Sequence, residues 1–170
     1  HKYRFPFSVR WFRSDLTRYQ EVLALVREAR PHYVFHLAGQ AVPWKSWREP
    51  NSTHQLNVGA TISLLDGMVR FAPHARVVLV SSAQVYGSTF FEKGRVSESD
   101  PTNPLSPYAG SKLLLEMAAL NFVKNEGLSI VIARAFNQIG LRQSSDYVLS
   151  DFCRQIAWIE AKRKPAVLKV

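Results

Sequence analysis

The 170 residues predict an α/β fold built on a parallel sheet, and three observations carry that expectation. Short apolar runs of strand length alternate with longer stretches of helical periodicity. The helical stretches between them run to roughly 13–20 residues, too long for hairpin turns and suited to parallel crossovers. The runs 76–82 and 129–134 are continuous and apolar, as buried parallel strands are. With 46% hydrophobic residues the chain can bury one core, and residues 1–170 are expected to form a single domain.

Taken in order, residues 9–13 could form a short strand. Residues 17–29 place Val22, Leu23, Leu25 and Val26 on a helical stripe, with Asp15 or Thr17 as cap. Residues 33–37 read as a strand after Pro31. Residues 51–71 carry Leu56, Val58, Ile62, Leu64, Leu65, Met68 and Val69 and predict one long helix ended by Pro73. The run 76–82 is a strand, and 87–107, rich in Ser, Thr, Asn, Gly and Pro, is a long loop of the kind that usually serves a function. A helix over 108–125 follows, with Ser106 as N-cap, Pro107 at the first helical position and Gly127 as terminator. A strand over 129–134, a helix over 148–162 and the start of a strand over 166–170 complete the pattern.

Chemistry concentrates at Tyr108-Ala109-Gly110-Ser111-Lys112 and at Ser82, at the end of an apolar run. On a helix, Tyr108 and Lys112 share one face, where an ammonium can stabilise a phenolate. A tyrosine that ordinarily ionises near pH ~10 then becomes a usable acid or base near neutrality. Ser82, delivered from a strand end, could hydrogen-bond the same substrate oxygen, and the three groups together suit the interconversion of an alcohol and a carbonyl. A Tyr and a Lys four apart also arise by chance; the helix start at Ser106-Pro107 and the apolar surface of Leu113, Leu114, Leu115, Met117, Ala118 and Leu120 raise the pair above that background.

Composition narrows the alternatives. One cysteine, Cys153, excludes an intrachain disulfide, and no Cys/His spacing suggests a metal, so a reducing compartment is favoured. No run of about 18 apolar residues is present, and a cytoplasmic protein without a membrane partner is expected. The net charge of +9 raises the question of nucleic acid, but the basic residues are scattered, with the densest clusters at 2–13 and 162–164, and no groove of interleaved aromatics is evident. Attraction to an anionic small molecule such as a diphosphate explains the same charge.

The ordered motifs His36-Leu37-Ala38-Gly39-Gln40, Asn57-Val58-Gly59-Ala60-Thr61, Ser81-Ser82-Ala83-Gln84-Val85-Tyr86-Gly87, Tyr108-x-x-x-Lys112 and Arg134-Ala135-Phe136-Asn137-Gln138-Ile139-Gly140 resemble those of the extended short-chain dehydrogenase/reductases, which act on nucleotide-activated sugars. The stretch 136–148 and the Arg154-Gln155-Ile156-Ala157 segment are most similar to the GDP-6-deoxy-4-ketomannose reductases and the GDP-mannose 4,6-dehydratases. The resemblance implies a Rossmann-like, doubly wound parallel sheet, NADP or NAD as cofactor, and a nucleotide-diphosphate sugar as substrate. It implies Tyr108 as proton donor to a sugar C4 carbonyl, Lys112 as the group that lowers its pKa and holds the nicotinamide ribose, and Ser82 as the group that orients the carbonyl. Asp15 and Leu16 match the pair flanking the adenine, though a helix cap and a core leucine would look the same. Leu37, Ala38 and Gly39 match the strand end over which the cofactor passes, where small residues allow close approach. Asn57 matches a supporting helix asparagine. Asn137 and Arg142 match substrate-binding positions, Arg142 as a fork for the diphosphate, although Leu141 stands where the family usually has proline.

Position 84 separates the chemistries that remain. The dehydratases carry Glu there, and Thr where Ser82 stands, because eliminating water needs a further acid/base. Gln84 cannot exchange protons at neutral pH, so it is read as a substrate-binding position and dehydration is disfavoured. Reduction and 4-epimerisation both stay open, with the similarity around Asn137 favouring reduction. None of the eight glycines forms the Gly-x-x-Gly-x-x-Gly turn that the resemblance implies for the pyrophosphate. The expectation is therefore an internal fragment of a protein of roughly 300 residues, lacking the first β-α-β unit and the C-terminal substrate segment. Such a piece would not bind NADP(H) appreciably, and NAD cannot be told from NADP within it. A homodimer through the 51–71 and 108–125 helices is implied for the full length. The non-enzymatic alternative is an inactive fragment or a nucleotide-binding module.

Overall fold

The computed structural model describes residues 7–161 and 165–169. Three parallel strands, β1 (Tyr33–His36), β2 (Arg76–Val80) and β3 (Ser129–Ala133), lie side by side in the order β1-β2-β3. Tyr33 is opposite Arg76, and Arg76 is opposite Ser129. The helices are α1 (Tyr19–Ala29), α2 (Pro43–Arg48), α3 (Pro50–His54), α4 (Ala60–Phe71), α5 (Ser88–Lys93), α6 (Pro107–Glu126) and α7 (Val148–Glu160), with a π turn over Gln55–Gly59 and a 3-10 turn over Ala83–Tyr86. A parallel sheet whose strands are joined through helices is the Rossmann-like α/β architecture that the sequence predicts.

The core sits between one face of the sheet and three helices. Val22 and Val26 of α1, Leu64, Leu65 and Met68 of α4, and Leu115 and Ala119 of α6 close over Val77 and Leu79 of β2, with Val34, Ile130 and Ile132 packed against the same cluster. The strands are thus covered on one face only. Phe35 is 68% and Val131 61% exposed on the other, which corrects the expectation of strands buried on both faces. Period-2 alternation sends every second side chain away from the helices.

Several boundaries differ from the sequence expectation. Residues 9–13 are not a strand. Among the described residues the sheet holds only β1, β2 and β3, and a strand needs a neighbour to take up its backbone groups; Arg10 pairs with Glu28 and lies over the Phe12 ring. Helix α1 begins at Tyr19, because Asp15 Oδ1 accepts from both the N–H and the hydroxyl of Thr17, at 2.9 and 2.7 Å, in a turn ahead of the helix. The 51–71 helix is interrupted by the π turn. The 87–107 loop contains α5, and α2 was not foreseen. Residues 166–169 form no strand. The predicted helix end at Lys162, the 162–164 basic cluster, the first part of the 2–13 cluster and Val170 lie outside the described residues. Among the described residues no helix is long and apolar enough to cross a membrane.

Candidate active site

In a parallel sheet all strands finish at one edge, so the segments that leave β1, β2 and β3 come together there. Residues 37–39 leave β1, Ser81 and Ser82 leave β2, and 134–137 leave β3. Onto this edge α6 delivers its first turn. Ser106 caps it by accepting from Ala109 N–H at 3.1 Å, and Pro107 takes the position where a missing N–H costs nothing.

Three groups converge. Ser82, 8% exposed, holds the Gln84 N–H at 3.2 Å with its Oγ, and its hydroxyl is near enough to the Tyr108 phenol to lower its pKa. Tyr108 is 7% exposed and Lys112 8%. The Lys112 Nζ donates to the Val80 carbonyl at 2.9 Å and stands 5.9 Å from the centre of the Tyr108 ring. Burial pushes the Tyr108 phenol above its ordinary pKa, an effect that the Ser82 hydroxyl offsets in part and the nearby Tyr147 reinforces. Burial also lowers Lys112. The expected depression of Tyr108 by Lys112 is therefore not what this structure shows: desolvation of the phenolate dominates.

The strand end of β1 reaches the same place. A Cβ on Gly39 would stand 2.7 Å from Asn57 Oδ1 and 3.8 Å from Lys112 Nζ, so only glycine lets the backbone pass. Leu37 and Ala38 are exposed beside it. Asn57, 1% exposed, sits in the π turn. Its Oδ1 accepts from Gln40 N–H at 2.7 Å, and its Nδ2 donates to the Gln40 carbonyl at 3.1 Å and to Ser111 Oγ at 2.9 Å.

The remaining predicted residues stand apart from this cluster. Gln84, Asn137 and Arg142 are exposed, Arg142 in the left-handed region at φ 70°. Asp15 caps its own turn, and Leu16 packs on the core.

The structure adds residues to which the sequence assigned no role. Glu116 is 3% exposed and accepts from Ser81 Oγ and, at 2.8 Å, from Arg134 Nη2. Arg134 also donates to the Tyr86 hydroxyl at 3.0 Å and to the Glu98 carbonyl at 3.3 Å, so one ion pair joins the ends of β2 and β3, α6 and the 87–106 segment. His36 Nε2 lies 3.1 Å from Thr61 Oγ1. The Thr61 hydroxyl hydrogen is spent on the Asn57 carbonyl, so His36 donates. Burial and the Lys112 charge lower His36 to about 4. The i, i+4 spacing of Lys112 and Glu116 placed both on one face, but only the fold shows what Glu116 meets.

The model of a family described as GDP-mannose 4,6 dehydratase matches residues 2–169. A GDP-6-deoxy-D-mannose reductase of Pseudomonas aeruginosa is 35% identical over 127 residues, 75% of this chain and 42% of that protein. A UDP-glucose 4-epimerase of Azospirillum brasilense is 32% identical over 135 residues, 79% of this chain and 38% of that protein. Among solved structures, RMD from Pseudomonas aeruginosa complexed with NADPH superposes with a TM-score of 0.87 at 31% identity, covering 99% of this chain and 57% of that one. The chain thus spans about half the length of these relatives or less.

Proposed function

The chain belongs to the GDP-mannose 4,6-dehydratase family, and on that premise we propose that it carries the catalytic centre of an NAD(P)H-dependent reductase of 4-keto-6-deoxy nucleotide sugars. The observation that carries the reading is the convergence of three buried groups, Ser82, Tyr108 and Lys112, at the strand-end edge of a parallel sheet.

The residues present fit one end of a dinucleotide. Gly39 leaves backbone bare beside Lys112, and Lys112 is the group to hold the nicotinamide ribose. When bound, the cofactor supplies the hydride that reaches the sugar C4 carbon. Ser82 donates a hydrogen bond to the C4 oxygen and fixes its direction. Tyr108 transfers its phenolic proton to the same oxygen, so that one hydride and one proton turn the carbonyl into an alcohol. Burial raises the phenol's pKa, so Tyr108 carries its proton at neutral pH and has one to give. The 35% identity to the GDP-6-deoxy-D-mannose reductase of Pseudomonas aeruginosa supports reduction over epimerisation. Asn137 and Arg142 are assigned to the sugar nucleotide, and exposed Gln84 leaves no carboxyl at the position where dehydration needs one.

The test is NADPH oxidation by the full-length protein carrying this sequence, with GDP-4-keto-6-deoxymannose offered beside other 4-keto nucleotide sugars. Turnover of the GDP sugar supports the proposal; turnover of another 4-keto sugar alone would refute the substrate and leave the chemistry. The second reading, 4-epimerisation, rests on the likeness to UDP-glucose 4-epimerase and is scored by sugar interconversion without net NADPH consumption.

A further inference from the structure

The first turn of an α-helix leaves its backbone N–H groups without intrahelical partners. In α6 these donors are settled in an uneven way. Pro107 has none, Ala109 is capped by the neighbouring Ser106, and Gly110 N–H bonds the Ser106 carbonyl at 2.8 Å. Tyr108 N–H is satisfied from elsewhere: it donates to Ser46 Oγ at 3.0 Å, across 62 residues of sequence. Ser46 is completely buried in α2, and its own hydroxyl hydrogen goes to the Pro43 carbonyl at 2.6 Å. The Tyr108 carbonyl is held too, by Ser111 Oγ at 2.7 Å. Ser111, also completely buried, accepts from Asn57 Nδ2. Asn57 is locked to both backbone groups of Gln40, whose side chain in turn bonds the Val42 carbonyl and N–H at 2.7 and 2.5 Å. Val42 precedes Pro43, so the path closes on itself through the Tyr108 backbone.

We propose that Ser46 and Ser111 are positioning residues which clamp the backbone of Tyr108, so that α2 and the π turn set where the phenol stands relative to Ser82. The inference rests on the reading of Tyr108 as proton donor and deepens it. Every hydroxyl in the ring both donates and accepts, and the interior position leaves no water to replace a lost partner. The same ring gives the π turn a reason. Its extra residue puts Asn57 where one amide reaches both Gln40 and Ser111, a placement that a regular helix through 51–71 would rotate away. Helix α2 is too short to be stable on its own, and its burial at Ser46 against α6 is what gives it a place.

Ser46→Ala removes the acceptor for Tyr108 N–H with almost no change in volume, and Ser111→Ala removes the donor to its carbonyl by an independent route. In the full-length protein each is expected to lower kcat by about 10- to 100-fold, the cost of a misplaced reacting group, while KM for the keto sugar and for NADPH changes by less than about twofold. A purely structural role would instead lower the melting temperature and leave kcat per folded molecule unchanged, and that result for both variants would overturn the proposal. A second readout needs no substrate. In protein labelled with 13C at the tyrosine Cζ, the Tyr108 resonance, assigned by Tyr108→Phe, is expected to shift its titration in Ser46→Ala in the same direction as in Ser82→Ala. The double variant should add little. An unmoved Tyr108 titration would overturn the clamp even if the sugar assignment holds. A moved one supports it even if no keto sugar is turned over.

Discussion

Tyr108 is a phenol held protonated by its surroundings, and His36 is a histidine held neutral by the same neighbourhood. His36 is 8% exposed and lowered to about 4 by burial and the Lys112 charge. Its unfolded counterpart titrates near 6.5, so between these values the unfolded chain binds more protons and stability falls as pH falls. The stabilising contribution is complete above about pH 6.5 and lost by about pH 4, of the order of 3 kcal/mol in all. Denaturant unfolding at pH 6.5 and 5 should show this slope, and His36→Gln should flatten it; an unchanged slope would contradict the assignment. The spacing of Tyr108 and Lys112, and Ser82 at a strand end, were legible because each is a local pattern. Ser46 was not: its partner lies 62 residues away, and a serine in a stretch without helical or strand periodicity carries no local signal. Nor was the direction of the Tyr108 shift, which depends on how deeply the fold buries the ring.

At the scale of elements, the strand ends are fastened by one ion pair. Arg134 bonds Glu116 with both Nε and Nη2, at 3.1, 3.2 and 2.8 Å, and lies over the Tyr86 ring at 4.9 Å. Glu116→Gln leaves the Arg134 charge without its counterion at a largely buried position, and it should cost about 2–3 kcal/mol in thermal or denaturant unfolding. Glu116→Gln combined with Arg134→Met should recover part of that loss, because the second change removes the stranded charge; a strictly additive double variant would contradict this. Gly87 fastens the other side. At φ 48° a Cβ there would stand 1.7 Å from the Asn103 carbonyl oxygen, so only glycine allows the close approach in which Asn103 N–H donates to the Val85 carbonyl at 2.9 Å and Ser88 N–H to the Asn103 carbonyl at 3.3 Å. Helices α1, α4 and α6 and the three strands were readable from apolar period and from the caps at Ser106 and Gly127. The segment 9–13 was not, since a strand is made by its partner as much as by its own residues. Helix α5 escaped because its six residues are too few for a periodic signal, and the π turn because its Gln55–Gly59 sequence scans as ordinary helix.

For the whole molecule, the sheet packs three helices on one face and leaves aromatic and branched side chains of β1 and β3 open on the other. Ser82, Tyr108, Lys112 and the bare β1 end meet at one edge of the sheet, while the 170 residues hold no glycine-rich turn of the kind proposed for a pyrophosphate. The motifs were legible as an ordered set because they cluster at strand ends that the topology gathers into one edge. Which nucleotide sugar the site takes was less legible, since Asn137 and Arg142 stand on exposed loop. The central claim is that Tyr108 gives the proton while a 4-keto nucleotide sugar is reduced. It is tested most directly by single-turnover reduction of GDP-4-keto-6-deoxymannose with NADPH, in the full-length protein and in its Tyr108→Phe variant. The account predicts that Tyr108→Phe slows the chemical step by roughly 10²- to 10⁴-fold with substrate affinity nearly unchanged. A variant that reduces the sugar within a few-fold of the parent rate would contradict it.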